Sequence, residues 1–230
     1  MLNFLTNSLF FGVAVSLAAY EVGSQKKKKF KSPLLNPLLI SIILVIAILV
    51  ALDVDYQSYN ISAKYLSYLL TPATVCLAIP LYEQIEKLKS NWKAIVAGIV
   101  SGIISCVLCV YAFSLIFGLT HEQYVTLLPK SITTAIGMDV STELGGITTI
   151  TVAVIIITGV FGNIVGEPIC KLFHITEPVA KGVGMGSSAH AIGTAKAMEM
   201  GEVEGAISSL SIAVTGLLTV IAASIAANLY

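Results

Sequence analysis

The sequence predicts an all-α polytopic membrane protein of about seven transmembrane helices plus a re-entrant half-helix, arranged as an inverted repeat with interrupted helices. Three observations predict it. Hydrophobic residues make up 56% of the 230 and charged residues only 11%, with a mean hydropathy of +0.90, a balance suited to lipid rather than water. Several apolar runs approach the roughly 18–20 residues that cross hydrocarbon as a helix, and no two-residue alternation suggests a barrel. One polar stretch, KGVGMGSSAHAIGTAKAMEM at 181–200, interrupts these runs. An unpaired backbone group in hydrocarbon costs several kcal/mol, so such sequence survives there only where it lines a cavity.

Composition also narrows the chemistry. The net charge is zero and all 13 basic residues are lysine, which gives no footprint for a nucleic-acid partner. Cys76, Cys106, Cys109 and Cys170 lie in or beside apolar runs and read as small buried hydrophobes. Cys106 and Cys109 share one helical face without a histidine to complete a zinc site, so no metal or cofactor is expected. The first run, Phe4 to Tyr20, has no basic residues before it, the reverse of a cleaved signal peptide, and reads as a retained span.

The elements follow in order. Span one, Asn3 to Tyr20, precedes Lys26–Lys29 and Lys31, which the positive-inside rule places in the cytoplasm, leaving the N-terminus outside. Span two runs from about Pro37 to Leu52, and the acidic loop Asp53 to Asn60 follows outside. The span Lys64 to Tyr82 carries Pro72 and Pro80, each lacking a backbone donor, and is expected to be kinked or broken there, with Thr71 and Thr74 satisfying freed groups. Glu83 to Lys93 is a cytoplasmic loop. Ala94 to Leu119 is a long span with Gly98, Ser101, Gly102 and Ser105 on a face suited to close helix approach, which suggests a homodimer.

His121 to Tyr124 should lie outside, and Lys171 and Lys181 inside. Thr126 to Glu143 is too short and polar for a span, so Pro129 to Val140 is expected to enter and leave on one face. Gly146 to Ile169 crosses inward, the glycine-rich stretch outward, and Val203 to Asn228 back, leaving the C-terminus cytoplasmic. Thus the chain divides, within a single domain 1–230, into a first span and basic loop (1–35), repeat one (36–119), the re-entrant segment (126–143) and repeat two (146–230). Inverted pairs with interrupted helices are the pattern of secondary transporters.

The candidate site follows from this pattern. Gly182, Gly184, Gly186 and Gly193 are expected to let the backbone leave helical geometry and free N–H groups for an anion. No strand precedes them, which removes a dinucleotide fingerprint. Lys196 would cost roughly 2.5–3.5 kcal/mol at bilayer centre unless it faced a wet cavity, a carboxylate or a substrate. Its alternative is to snorkel near Glu199, Glu202 and Glu204. His190 is a structural group or a proton-coupling site. Lys130, Ser131, Thr133, Thr134 and Asp139 form a second polar cluster, Asn163 is helix glue or a ligand contact, and Glu167 reads as a span-end residue. Ser187, Ser188, His190 and Lys196 crowd one short helix, so nucleophile and base cannot approach from separate elements and no enzyme is expected.

LNPLLIS at 35–41, PATVCLAIPLY at 72–82, LLPKSITTAIGMDVSTELGG at 127–146 and AKGVGMGSSAHAIGTAKAMEMGEVEGAISS at 180–209 resemble the signature segments of the LrgB/CidB family of bacterial membrane proteins, the last looking closer to the CidB and YohK branch. The resemblance implies a multi-pass bacterial plasma-membrane protein and two accounts of function. One is a holin-like or antiholin-like regulator of murein hydrolase export and cell lysis, acting with a small LrgA/CidA-type membrane partner. The other is transport of small monocarboxylates, implied by pyruvate transport in bacterial members and glycolate/glycerate exchange in plastid relatives. Interrupted helices favour the second, a secondary transporter or facilitator for pyruvate-, glycolate-, glycerate- or lactate-type acids. In it Lys196 and Lys130 attract the carboxylate, and Ser187, Ser188, His190, Thr194, Thr134 and Asn163 surround it.

Overall fold

The structure, a computed structural model, describes residues 8, 10–30, 36–69, 72, 75–76 and 78–230. It divides into two compact units, Met1–Cys76 and Leu77–Tyr230, a boundary that falls inside the expected repeat one. Asn3, Lys31, Leu35, Thr71 and Thr74 lie outside the described residues.

The first unit holds α1 (Phe11–Phe30), α2 (Pro37–Ala51) and α3 (Tyr56–Ser67). α1 packs on both others. The Gly12 N–H donates to Ser62 Oγ at 2.6 Å, and the Ser16 and Tyr59 hydroxyls bond at 2.7 Å. Two expectations change here. The lysine run is not a loop: α1 continues through Lys27, Lys28 and Lys29, whose charges complement the negative helix C-terminus. The acidic loop is also shorter than expected, because Asp55 caps α3 by accepting from the Gln57 N–H at 2.9 Å. α2 starts at its proline, with Asn36 Oδ1 accepting from the Leu38 and Leu39 amides.

The second unit holds α4 (Ala78–Glu83), α5 (Ile85–Phe117), α6 (His121–Leu127), α7 (Thr134–Glu143), α8 (Thr148–Leu172), α9 (Pro178–Met200) and α10 (Glu202–Ala226). Pro80 is the third residue of α4, a first-turn position where a missing N–H removes no intrahelical bond, and α4 packs on α10. Glu83 to Lys93 is not a loop, since α5 begins at Ile85 and runs 33 residues, about 50 Å. Among the described residues, α5, α8 and the stretch Glu202–Leu229 are long and apolar enough to cross a membrane, and α2 is a shorter apolar helix.

α10 serves as a ruler for the rest of this unit. α6 starts beside its C-terminal end, where the Tyr124 hydroxyl donates to Ala226 O at 2.9 Å. The chain then dips until Leu128 and Ser131 share a small cavity with Thr219 and Thr215. α7 returns, with Ile136 over Gly216 and Val140 in one apolar cluster with Ala223. Residues 121–143 therefore form a hairpin about 16 Å deep, the length of eleven helical residues.

α9 makes a second hairpin from the opposite end. Its first half lies along α10 with Gly182 against Glu204 and Ile207, and Gly186 against Ser208 and Ser211. At Ala189 (φ −127°, ψ 15°) and His190 (φ 41°, ψ −139°) the helix breaks. The second half runs back, Thr194 bonding Ser208 and Met198 touching Gly205. Its register on α8 reverses too: Met185 and Ala189 sit at Gly166 and Gly162, whereas Ile192 and Lys196 meet Asn163 and Glu167 in ascending order.

This corrects three expectations. The break is at Ala189–His190, not at Gly182, Gly184, Gly186 or Gly193, all of which lie in helical segments. α9 does not pass from one end of the unit to the other. Consequently α10 starts beside Lys181 and ends beside Leu119 and His121, where the Tyr230 hydroxyl donates to Leu119 O and His121 Nδ1 lies 3.1 Å from Tyr230 O. The C-terminus thus shares an end with the His121–Tyr124 segment rather than with Lys171 and Lys181.

Candidate functional site

The two hairpin tips reach Ser211 and Thr215 of α10, one helical turn apart and near the middle of that helix. Between them and the walls of α5 and α8 lies a cavity of about 790 Å³. It extends from Asn91, Ala94 and Glu177 at the end carrying Lys181 to Lys130 and Ser131 at the first tip. Toward the other end stands a packed apolar cluster of Tyr124, Val125, Leu128, Ile132 and Val140 with Val110, Ala223 and Ala226.

The first tip forms because α6 runs into Pro129. Residues 127–132 close instead by turns, Lys130 N–H to Leu127 O and Ile132 N–H to Pro129 O, before Thr133 starts α7. The Lys130 ammonium donates to Ser131 Oγ at 3.1 Å, and Ser131 Oγ lies 3.7 Å from Cys106 Sγ. Among the described residues that line the cavity, Lys130 is the one cation. Behind this tip, three buried hydroxyls tie the hairpin to α8: Thr151 Oγ1 donates to Thr126 O at 3.0 Å and lies 2.7 Å from the Ser141 hydroxyl, which can donate to it in turn, and the Ile147 N–H donates to Thr126 Oγ1.

The second tip is built by close packing. Gly159, Gly162 and Gly166 of α8 receive the His190 ring, Ala189 and Met185, and an added Cβ at Gly159 would stand 2.6 Å from the imidazole. His190 is 3% exposed, and its Nε2 meets Ile155 O at 2.9 Å. The Asn163 amide donates to Ile192 O at 2.8 Å, which binds the returning half to α8. On α5, Gly98 faces Val183 and Gly102 faces Ser187, whereas Ser101 and Ser105 of the same stretch are exposed.

The sequence-derived residues therefore divide. Lys130, Ser187 and Ser188 line the cavity, as does Gly184. Both serines also donate to the carbonyl one turn back, at Val183 and Gly184. Lys196, His190, Thr194, Thr134 and Asn163 do not line it. Lys196 instead pairs with Glu167 at 2.7 Å and Glu199 at 3.4 Å, near Lys171, which also holds Glu167 at 2.8 Å. Thr194 bonds Ser208, and His190 and Asn163 hold backbone carbonyls. Pro72 belongs to the first unit, and Ile79, Tyr82 and Glu83 of α4 are not among the described residues that line the cavity.

The cysteines are not uniformly buried as expected. Cys76 and Cys109 are exposed, Cys106 and Cys170 half-buried, and all but Cys76 line the cavity. No group of three potential metal ligands occurs among the described residues. The three glycines of α8 were missed in the sequence, although their three- and four-residue spacing marks one helical face.

A helical membrane protein with two opposed hairpins beside an open cavity is the class these features define. The chain belongs to the LrgB-like family, whose model matches residues 16–229. It is 38% identical over 217 residues, covering 94% of each chain, to proteins named "Antiholin-like protein LrgB" from Bacillus mycoides strain KBAB4 and Bacillus cereus strain B4264. The same identity and coverage hold for the protein of that name from Bacillus anthracis strain CDC 684 / NRRL 3495. No solved structure matches the chain significantly.

Proposed function

We propose that this chain is an antiholin-like membrane protein, one that restrains holin-type permeabilisation of the cytoplasmic membrane and so murein hydrolase export and lysis. The observation that carries the proposal is its 38% identity, over 94% of both chains, to proteins bearing that name. The fold supports a restraining role rather than a conducting one. Its cavity is backed by the apolar cluster around Tyr124, and Lys196, His190, Asn163 and Thr194 are bonded within the protein. With Lys87, Lys89, Lys93, Lys171 and Lys181 on the cytoplasmic face by the positive-inside rule, the chain crosses at α5, α8 and α10, the two hairpins enter from opposite faces, and Tyr230 lies outside. The test is co-expression with a small LrgA/CidA-type holin in cells lacking both proteins. Delayed lysis and delayed dye entry are expected; an unchanged lysis time contradicts the proposal.

A second reading is favoured by one specific observation, the cavity that sets the Lys130 ammonium and the hydroxyls of Ser131, Ser187 and Ser188 around one apolar space. A lone cation among hydroxyls in a partly desolvated pocket suits a small monocarboxylate, and alternating exposure of that pocket would make the protein a carrier or facilitator. Uptake of labelled pyruvate or glycolate by proteoliposomes, lost in Lys130→Ala, supports this reading; absent uptake by folded protein removes it.

A further inference from the structure

Where the two hairpin tips approach each other behind the large cavity lies a small one of about 10 Å³. Leu128 and Ser131 of the first tip, Ser187 of the second hairpin, Gly102 and Cys106 of α5, and Thr215 and Thr219 of α10 line it. Thr215 is 2% exposed, and its Oγ1 has no hydrogen-bond partner; among the described residues only the Ser114 hydroxyl shares that condition. A buried hydroxyl without a partner costs about 1–3 kcal/mol. Most native structures avoid that cost.

We propose that this cavity is a binding site for one water molecule, held by Thr215, Thr219, Ser131 and Ser187, which links both hairpin tips to α10. The volume matches roughly one water-sized sphere, the lower bound for hydration of a polar cavity. The hydroxyl inventory fits as well. Ser187 Oγ spends its proton on Val183 O, so its lone pairs accept from water. Ser131 Oγ accepts from Lys130 and keeps further capacity, and Thr215 can both donate and accept. A monovalent cation is the poorer occupant, because the oxygens are neutral hydroxyls and the Lys130 ammonium is 3.1 Å from one of them.

Substitutions at Thr215 give a test by sign. In detergent-purified protein, Thr215→Val keeps the shape and removes the hydroxyl, and should lower the melting midpoint by about 2–4 °C, the shift of one lost hydrogen bond in a chain of this size. Thr215→Ser should stay within about 1 °C of wild type on the same scale. Ser187→Ala combined with Thr215→Val should cost less than the sum of the two alone, because both remove the same water. A midpoint unchanged or raised by Thr215→Val overturns the proposal, since removing an orphan hydroxyl from a dry cavity relieves a penalty. Should Thr215→Val fail to fold while Thr215→Ser folds, the hydroxyl is required and the proposal stands. A wild-type structure at a resolution showing ordered water is independent of the variants: density among these four hydroxyls supports the site, and empty density overturns it.

Discussion

The two hairpins reach the same depth by different means. The α6–α7 tip is turned by a proline and short local hydrogen bonds, and its rigidity comes from a large apolar cluster packed around Tyr124 and Ile132. The α9 tip has neither proline nor glycine at its turn. His190, a non-glycine residue at φ 41°, turns it, and the strain is held by three glycines on α8 and by the imidazole bond to Ile155. One tip is stable because its sequence breaks helices; the other is stable only because its neighbours leave room. The second should therefore be far more sensitive to changes on a different helix.

The largest effect is expected from such a change. Gly162→Leu places a side chain where Ala189 sits, and the protein should lose its monodisperse peak in size-exclusion chromatography. Gly159→Ala, against the His190 ring, should retain a fold but lose about 1–3 kcal/mol, seen as a lower melting midpoint. At the turn itself, His190→Ala forfeits the Ile155 bond and keeps the strain, whereas His190→Gly forfeits the bond and relieves it. Melting midpoints should therefore rank wild type, then Gly, then Ala; Ala above Gly would show that the positive φ is not strained. On the first hairpin, Tyr124→Phe leaves Ala226 O without its hydroxyl donor and should cost about 1–3 kcal/mol by the same measurement. The smallest effect belongs to Glu167→Gln. The Lys196 pair is partly solvated, so the loss should be about 0–1 kcal/mol and should shrink as salt is added.

Much of the scaffold was legible in the sequence, because long apolar runs can be little else in a chain this hydrophobic. The cores of α5, α8 and α10 follow directly from their runs. Pro129 within a short polar segment likewise announces the first tip. The α9 hairpin was hidden because its reversal depends on tertiary contacts: glycines that look like helix breakers are there for close packing, and the turn falls on Ala189 and His190, which carry no local signal. The position of Lys196 follows from the same reversal. In a helix that crosses, it would lie deep; in one that returns, it comes back to Glu167. The direction of α10, and with it the position of Tyr230, inherits that single reversal.

The reversal of α9 is the central claim, and side-specific thiol labelling tests it most directly. In a background lacking the native cysteines, Thr176→Cys and Glu202→Cys bracket α9, and Glu122→Cys marks the far end. In sealed, oriented vesicles an impermeant maleimide should modify the first two from one side and the third from the other. Labelling of positions 176 and 202 from opposite sides would mean that α9 passes through the membrane, and would contradict the account.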